Sequence, residues 1–399
     1  MISRGFESNQ EFIERTKKLQ SKLVLHNIDG ALITTKEDYH YFTGVTTQFW
    51  ESPTRPLYLV IPNKSDPIAI IPSILKCQVE NTWIKSIFTW DAPNKKDDGI
   101  SLLLSVLKKF KTLGMSMNIE SHLRMPLKHL QFITNELQLE LIDISEYIQT
   151  LRLIKSPAEI AKIEAVCQIT SECFEALPDH IEKTFHKKAL SEREILTEMK
   201  LLLIKHGVDH VKYLVGSSGV GGYKSVILNP TDERIAPNSI FFMDTGTQLD
   251  EYFCDFNRNF VIRSHKECAY ASMWRSFYNS HNLFLWNATE LAIRSCKPGV
   301  LFSDLWKIMY NYLIHQGYDK LSYVSSRMGH SIGLNLTELP SVKNDEHVKL
   351  EDGMVITLEP YVQTEYGIIV HEEVLAITAT GCKLLTIRAP KIPPVLFVE

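Results

Sequence analysis

Residues 239–260, SIFFMDTGTQLDEYFCDFNRNF, have the pattern of a β-hairpin. An apolar run ends at Asp244, the chain turns through Gly246 to Asp250, and a second apolar run returns through Asp255. Adjacent strands of a hairpin hold facing side chains close together. The stretch therefore predicts two antiparallel strands that bring the carboxylates of Asp244 and Asp255 near each other.

Two more acidic residues lie in apolar, strand-like segments further along the chain. Glu359 is inside GMVITLEP (353–360), and Glu372 is inside GIIVHEEVLAIT (367–378). A buried carboxylate without a partner is strongly unfavourable and takes up a proton instead. Either each strand turns its acid to solvent, since Asp and Glu are rarely buried unless paired, or the four acids share a binding partner.

A histidine flanked by glycines favours a shared partner. His330 lies in RMGHSIGL (327–334), where the glycines allow the backbone to approach a bound group closely. A lone histidine is more often structural, but one nitrogen with four carboxylates suits Mn, Fe, Co or Zn. Two divalent cations would also neutralise four carboxylates. The predicted metal ligands are Asp244, Asp255, His330, Glu359 and Glu372.

The order and spacing of these residues resemble the pita-bread metallohydrolase family, which includes prolidase, aminopeptidase P, methionine aminopeptidase and creatinase. The matching segments are Asp244-x-Gly, Tyr252-x-x-Asp255-x-x-Arg258, Gly329-His330-Ser-Ile-Gly-Leu and Gly353-Met-Val-x-Thr-Leu-Glu359-Pro, followed by Glu372. One such motif is weak, whereas the ordered set is highly specific. The segments YFTG (41–44) and IKSPAEI (154–160) are similar to the two-domain members.

The resemblance implies a role for each residue of the set. Asp255 and Glu372 would each bridge the two metals, Asp244 would complete the shell of one ion, and His330 with Glu359 that of the other. A water bridging the ions would be the nucleophile that cleaves an amide bond, with Glu359 as its proton acceptor. Arg258 would orient a ligating carboxylate, or else form a surface salt bridge.

The chain departs from the family at two histidine positions. Leu228 stands immediately before Asn229-Pro230, where creatinase has its catalytic histidine, and this counts against creatine as the substrate. Thr337 stands where a second histidine normally follows the first by seven residues. Because positioned imidazoles are each worth orders of magnitude in rate, their loss is expected to weaken ordinary peptide cleavage.

Several other residues are candidates for the substrate pocket. The loop QFWESPTRP (48–56) carries Trp50 and Arg55, and in creatinase-like enzymes an arginine at the position of Arg55 reaches into the active site of the partner subunit. Arg55 would hold a substrate carboxylate and Trp50 a cationic or apolar group, or both would be ordinary packing and surface residues. His371 is a further candidate proton donor. Tyr213, Tyr223 and Lys224 are candidates for the pocket wall.

Alternating patterns of strand and helix predict an α/β domain over residues 1–150. Within it, residues 99–113 are predicted as a helix and 115–120 as a strand. Ser156, Pro157 and Glu159 are typical of a helix start. Residues 151–399 are therefore predicted to form the second domain, an α+β pita-bread catalytic domain behind a creatinase-like N-terminal domain.

The composition excludes several classes of protein. The formal net charge is −4 with both signs interspersed, so nucleic acid is a poor partner. No apolar run is long enough to span a bilayer, and the N-terminal residues lack the apolar core of a secretory signal. Seven cysteines without a CxxC pair do not suggest a disulfide framework. We expect a cytoplasmic protein that assembles as a homodimer.

The prediction for function is a dinuclear metal-dependent hydrolase, most simply an Xaa-Pro dipeptidase or an aminopeptidase P-like enzyme, with Mn, Co, Fe or Zn as its metal. The alternative is a metal-dependent small-molecule enzyme on the same scaffold, such as an ectoine-type ring hydrolase or a dimethylsulfoniopropionate lyase. The two missing histidines and the Trp50–Arg55 loop favour that alternative. A non-catalytic binding protein is a third class, which retention of all five ligands disfavours.

Overall fold

The computed structural model of the chain describes residues 5–6, 8–52, 55–185, 190–219, 225–263, 269–318, 326–364 and 367–397. The chain divides into two compact units, Ser3–Arg152 and Leu153–Glu399. The domain boundary predicted after residue 150 lies inside the helix Ser145–Leu153, in which the first unit ends.

The N-terminal unit is built on a six-stranded sheet. Its strands are β1 (Gly30–Ile33), β2 (Tyr58–Pro62), β3 (Ile68–Pro72), β4 (Ser86–Trp90), β5 (Thr112–Met115) and β6 (Glu140–Asp143). They lie in the order β4-β3-β2-β1-β5-β6, with β1 antiparallel to β2 and parallel to β5. Its helices are α1 (Gln10–Leu25), α2 (Lys36–Thr43), α3 (Lys76–Glu80), α4 (Ile100–Leu107), α5 (Leu127–Leu137) and α6 (Ser145–Leu153). The predicted α/β layer is confirmed.

The prediction for residues 99–120 is wrong in its boundaries. The helix ends at Leu107, and β5 occupies Thr112–Met115 instead of 115–120. The physical reason is a contact distant in sequence, because the Asp29 carboxylate accepts hydrogen bonds from the backbone amides of Lys111 (2.6 Å) and Thr112 (3.0 Å). These bonds fix the start of the strand beside β1, which no local pattern reveals.

The C-terminal unit contains two larger sheets. The first contains β7 (His210–Gly219), β8 (Ser239–Leu249), β9 (Tyr252–Phe253), β10 (Phe256–Arg263) and β18 (Val395–Phe397). The second contains β11 (Arg327–Ser331), β12 (Glu338–Lys343), β13 (Val355–Leu358), β16 (Glu373–Thr378) and β17 (Gly381–Leu384). A hairpin pairs β14 (Tyr361–Thr364) with β15 (Gly367–Val370). The sheet orders are β18-β10-β8-β7, with β9 paired to β8, and β12-β11-β13-β16-β17.

Four helices of this unit are described: α7 (Pro157–Phe185), α8 (Glu192–Lys205), α9 (Ala269–Ser295) and α10 (Phe302–His315). The predicted start of α7 is confirmed, because Ser156 and Glu159 exchange hydrogen bonds between side chain and backbone in both directions. Side chains of α9 and α10 pack against both sheets in one buried core, so the helices hold the two sheets at a fixed separation. None of the helices in the described ranges has the length and apolar character needed to cross a bilayer.

Candidate metal centre

The predicted hairpin is confirmed and supplies two carboxylates, but its predicted turn is wrong: β8 continues past Asp244 to Leu249, and the turn lies at Asp250 and Glu251. Asp244 lies on β8, directly across from Asn257 of β10. Asp255 lies between β9 and β10, just after Cys254, whose amide bonds the Thr247 carbonyl at 3.0 Å. The close pairing of β8 with both following strands places Asp255 at the same end of the hairpin as Asp244.

The second sheet supplies the other three groups from adjacent strands. His330 lies on β11, Glu359 follows β13, and Glu372 precedes β16. Strand β13 pairs with both β11 and β16, so the ends of three neighbouring strands meet. The amide of Glu359 bonds the Met328 carbonyl at 3.0 Å, which fixes Glu359 beside the histidine strand.

Gly329 serves the packing of strands, a role that differs from the sequence prediction. Its φ is +145°, and a Cβ atom there would lie 2.2 Å from the backbone oxygen of Thr357. The glycine therefore allows β11 to approach β13, whereas the sequence pattern had suggested close approach to a bound group. The Thr357 hydroxyl in turn accepts a hydrogen bond from the His330 amide at 3.2 Å.

The ligand atoms converge. One ligand atom each from Asp255, His330 and Glu372 lies within 4.8 Å of the others, and all three residues are buried. His330 Nε2 lies 3.4 Å from Asp255 Oδ2 and 3.9 Å from Glu359 Oε1. Asp244 interacts electrostatically with Asp255 and Glu359. The structure thus gathers the five predicted ligands into one group.

Burial raises the pKa of three of these carboxyl groups. In Asp244 and Glu372 the effect of burial is increased by the charges of the neighbouring carboxylates, and both pKa values lie well above the ordinary range. Burial also raises the pKa of Asp255, although a hydrogen bond from His330 opposes it. This concentration of negative charge is unfavourable unless positive charge is bound.

The tautomer of His330 leaves a nitrogen available to a metal. Its Nδ1 lies 2.9 Å from the Ser331 carbonyl oxygen, which only accepts, so Nδ1 carries a proton and Nε2 faces the carboxylates. Burial alone lowers the pKa of His330, but the hydrogen bond with Asp255 and the nearby negative charges outweigh burial and raise it. A divalent cation would occupy the place of that attracted proton.

The donor set fits divalent metal ions. The oxygens Asp244 Oδ1 and Glu372 Oε1 are buried and have no hydrogen-bond partner among the described residues. Unpaired buried oxygens are unfavourable, and metal coordination would satisfy both. Carboxylates with one imidazole are ligands that several first-row ions accept.

Three further residues lie around the group. Tyr213 lies close enough to Asp244 to oppose, in part, the rise in the pKa of that carboxyl that burial causes, and an Arg327 guanidinium nitrogen lies 3.0 Å from Glu359 Oε1. Arg258 donates to the backbone oxygen of Glu372 (3.0 Å) and to the carboxylate of Glu373 (3.1 Å). Arg258 is buried, so the surface alternative is wrong, and its contact with Glu372 is through the backbone.

His371 directs its ring elsewhere. Its Nδ1 lies 3.3 Å from the Thr289 hydroxyl, and the ring lines a cavity that none of the five ligand residues lines. Of the positions that lack the family histidines, Leu228 is 39% exposed and Thr337 is half-buried. Neither side chain can exchange a proton as an imidazole does.

The predicted substrate loop lies in the N-terminal unit. Trp50 is buried against Tyr39 and beneath the guanidinium of Arg124, whose carbon lies 4.6 Å from the ring centroid. Arg124 also donates to the Arg55 carbonyl at 3.2 Å, and the Arg55 guanidinium lies over Phe49. A role for Trp50 and Arg55 in binding substrate stays a prediction. Four of the residues singled out lie outside the described residues: Pro53, Thr54, Tyr223 and Lys224.

The raised pKa values give a test of the site without metal. Replacing Asp244 with asparagine is expected to stabilise the metal-free protein at pH 7. In the folded state the Asp244 carboxyl keeps its proton, because its pKa is raised well above the ordinary value. In the unfolded state the same carboxyl loses its proton above pH about 4, so unfolding releases a proton. Each proton released lowers the free energy of unfolding by about 1.4 kcal/mol per pH unit. Urea unfolding with a chelator at pH 5 and pH 7 measures this slope, which should be shallower in Asp244→Asn.

Asp143 is the control for that experiment. Burial slightly opposes the effect, but hydrogen bonds from Ser145 lower the pKa of Asp143, so its charged form stabilises the fold. Asp143→Asn should therefore destabilise the protein at pH 7. If the free energy of unfolding changes equally with pH in wild type and Asp244→Asn, the proposed crowding of carboxylates is contradicted.

Comparison with known proteins agrees with this geometry. Residues 161–379 match the model of metallopeptidase family M24, and residues 15–154 match the creatinase/prolidase N-terminal domain. An uncharacterized peptidase of Staphylococcus epidermidis is 28% identical over 381 residues, which cover 93% of this chain and 98% of that protein. An Xaa-Pro dipeptidase of Pyrococcus horikoshii is 27% identical over 378 residues, covering 94% and 97%. The solved Xaa-Pro dipeptidase from Bacillus anthracis has the same fold, with a TM-score of 0.80, 20% identity and coverage of 96% and 100%.

A two-domain metal-dependent hydrolase is the class that this fold and this group of ligands define. Because the catalytic-domain model matches more than half of the chain, the family is also established: the chain belongs to metallopeptidase family M24, which uses divalent metals. The resemblance to the pita-bread family and the two-domain fold predicted from the sequence are both confirmed.

Proposed function

We propose that this chain is a dinuclear Xaa-Pro dipeptidase or an aminopeptidase P-like enzyme that hydrolyses the amide bond before proline. The observation that carries the proposal is the convergence of ligand atoms from the buried residues Asp255, His330 and Glu372. Asp244 and Glu372 also each keep a buried oxygen that has no hydrogen-bond partner among the described residues. The relative named Xaa-Pro dipeptidase matches 94% of the chain, so the likeness extends across both units.

Two ions per chain are proposed because one divalent cation leaves the four carboxylates with a net negative charge. Asp244, Asp255, His330, Glu359 and Glu372 would hold the two ions. Manganese, cobalt, iron and zinc all accept such a donor set. When bound, the ions supply Lewis acidity and lower the pKa of water.

The residues of the chain have separate tasks in this proposal. Glu359 accepts the proton of the attacking water, and Arg327 fixes one of its carboxylate oxygens at 3.0 Å. Tyr213 lies beside Asp244, and Arg258 holds the backbone at Glu372. The predicted homodimer and cytoplasmic location remain part of the proposal, and sedimentation velocity tests the first.

A small-molecule enzyme on the same scaffold is not favoured. Leu228 and Thr337 are the features that point to it, but relatives that match more than nine-tenths of the chain are named peptidases and dipeptidases. A change of substrate therefore needs more support than two replaced histidines.

Elemental analysis of the purified chain, with hydrolysis assays after addition of Mn, Co or Zn, tests the proposal. We expect nearly two metal ions per chain, turnover of Ala-Pro and no comparable turnover of Ala-Ala. Two metals without turnover of any Xaa-Pro peptide would move the assignment to a small non-peptide substrate. Failure to bind metal under all these conditions would show that the metal centre is wrongly assigned.

A further inference from the structure

A second pocket lies in the C-terminal unit, apart from the five ligands. It encloses about 250 Å³ between α7, β10, α9 and the segment 387–394, and none of the five ligand residues lines it. We use the name second pocket for the cavity lined by Phe174, Asn257, Phe260, His371, Arg388 and Pro394. Its walls combine apolar and polar side chains, and three of the polar ones have buried atoms without a hydrogen-bond partner among the described residues.

The first of these side chains is His371, which is 3% exposed. The Thr289 hydroxyl donates to the Leu285 carbonyl at 2.9 Å, so its oxygen is free to accept the proton of His371 Nδ1 at 3.3 Å. His371 Nε2 then keeps an unshared electron pair. That nitrogen is buried, lies in the wall of the cavity and has no hydrogen-bond partner among the described residues.

The second is Asn257, which is 2% exposed. Its amide nitrogen donates to the Val370 carbonyl (3.2 Å) and to Asn259 Oδ1 (3.4 Å), which fixes the orientation of the amide. Its Oδ1 is buried without a hydrogen-bond partner in the described part of the chain. The pocket therefore offers two buried acceptors, an imidazole nitrogen and an amide oxygen.

The third is Arg388, which offers donors. Its guanidinium lies 4.5 Å from the Trp286 ring centroid, and Nη2 donates to the Trp286 carbonyl at 3.1 Å. Nε and Nη1 are buried and make no hydrogen bond within the described residues, although Nη1 lies 3.5 Å from Glu373 Oε1. Glu373 already accepts from Arg258, Thr386 and the Ala389 amide, so it does not need Arg388 for its own satisfaction.

We propose that the second pocket binds a free amino acid with a small apolar side chain. Its carboxylate would accept a charge-assisted hydrogen bond from one of the two unpaired donors of Arg388, Nε or Nη1, which lie on different edges of the guanidinium. Its amino group would donate to Asn257 and His371, and its side chain would contact Phe174, Phe260 and the prolines. Buried donors and acceptors without a hydrogen-bond partner are unfavourable, and one ligand of this chemistry would supply partners for all three side chains. The site goes beyond the proposed peptidase function, because it is separate from the ligands of the metal centre.

Ligand-observed NMR with the full chain, using L-proline and L-valine as probes, tests this site. We expect both to bind the wild-type protein and Arg388→Gln to weaken binding at least tenfold. Ala389→Phe, which fills the cavity without removing a charge, should weaken it as well. Arg193→Gln is the matched control, because Arg193 is exposed and its Nε donates to Asp232 Oδ1 at 2.8 Å on the surface.

A variant of the metal centre shows whether the amino acid binds in the second pocket or at the metal ligands. Asp244→Asn should leave the affinity for the amino acid within twofold of wild type, and circular dichroism confirms that each variant is folded. No binding of either amino acid at about 10 mM would show that water alone fills the cavity, and would overturn the proposal. Binding that is lost in Asp244→Asn but kept in Arg388→Gln and Ala389→Phe would assign the ligand to the metal centre and overturn it equally. Neither result would affect the test of peptidase activity.

Discussion

Replacing His330 with alanine is expected to lower metal affinity at least about a hundredfold and to reduce hydrolysis by a similar or larger factor. The imidazole is the only nitrogen donor in the group, and its Nε2 lies between Asp255 (3.4 Å) and Glu359 (3.9 Å). Its removal leaves Asp255 without the imidazole that lies 3.4 Å from its carboxylate. Metal content after dialysis and kcat/KM with added metal measure the two effects.

His40 provides a matched control for the loss of a buried imidazole. It is 5% exposed, and its Nδ1 lies 3.2 Å from the Val45 carbonyl in the N-terminal unit. His40→Ala should reduce the free energy of unfolding but leave the number of bound metals per chain unchanged. Full metal occupancy in His330→Ala would mean that the ligand set has been wrongly assigned.

The proposed metal ligands could be picked out from the sequence because each lies in or beside a strand pattern that is readable locally. Asp244 pairs with Asn257 across the hairpin, two residues from Asp255, so the proximity of the two carboxylates follows from a local hairpin. The proximity of His330, Glu359 and Glu372 depends on three strands pairing across long connections. Only the resemblance to a known family predicted that pairing, since register between distant strands leaves no local signal.

The supporting contacts could not be predicted for the same reason. Arg327 stands in the quoted histidine motif, but its partner Glu359 is determined by the pairing of β11 with β13. His371 is next to a ligand in sequence, and this adjacency suggested a role in proton transfer. Neighbouring residues in extended chain point to opposite sides, so the ring of His371 reaches Thr289 on α9.

In the fold, too, a feature determined by neighbouring residues was predictable and a feature determined by a distant residue was not. The N-terminal cap of α7 was predictable because Ser156 and Glu159 are three residues apart. The start of β5 was not, because it depends on Asp29 in a different part of the N-terminal unit. The local hydrogen-bonding pattern therefore predicted where α7 begins, whereas tertiary hydrogen bonds determine where β5 begins.

Replacing Glu359 with glutamine is expected to lower kcat by about 10²–10⁴, the usual contribution of a positioned general base. The amide keeps an oxygen beside His330 but cannot take up a proton. KM should change much less than kcat, because the proposed role is in proton transfer. Steady-state assays at saturating metal, with metal content measured in parallel, separate this effect from a loss of ions.

A second variant distinguishes a proton acceptor from a residue that only holds metal. If Glu359 accepts the proton, Glu359→Asp, which keeps a carboxylate, should recover part of the kcat that Glu359→Gln loses. Glu346→Gln, at a half-buried position in the loop after β12, is the control for the same change in charge and should behave as wild type. A Glu359→Gln variant with full metal content and wild-type kcat would exclude Glu359 as the base.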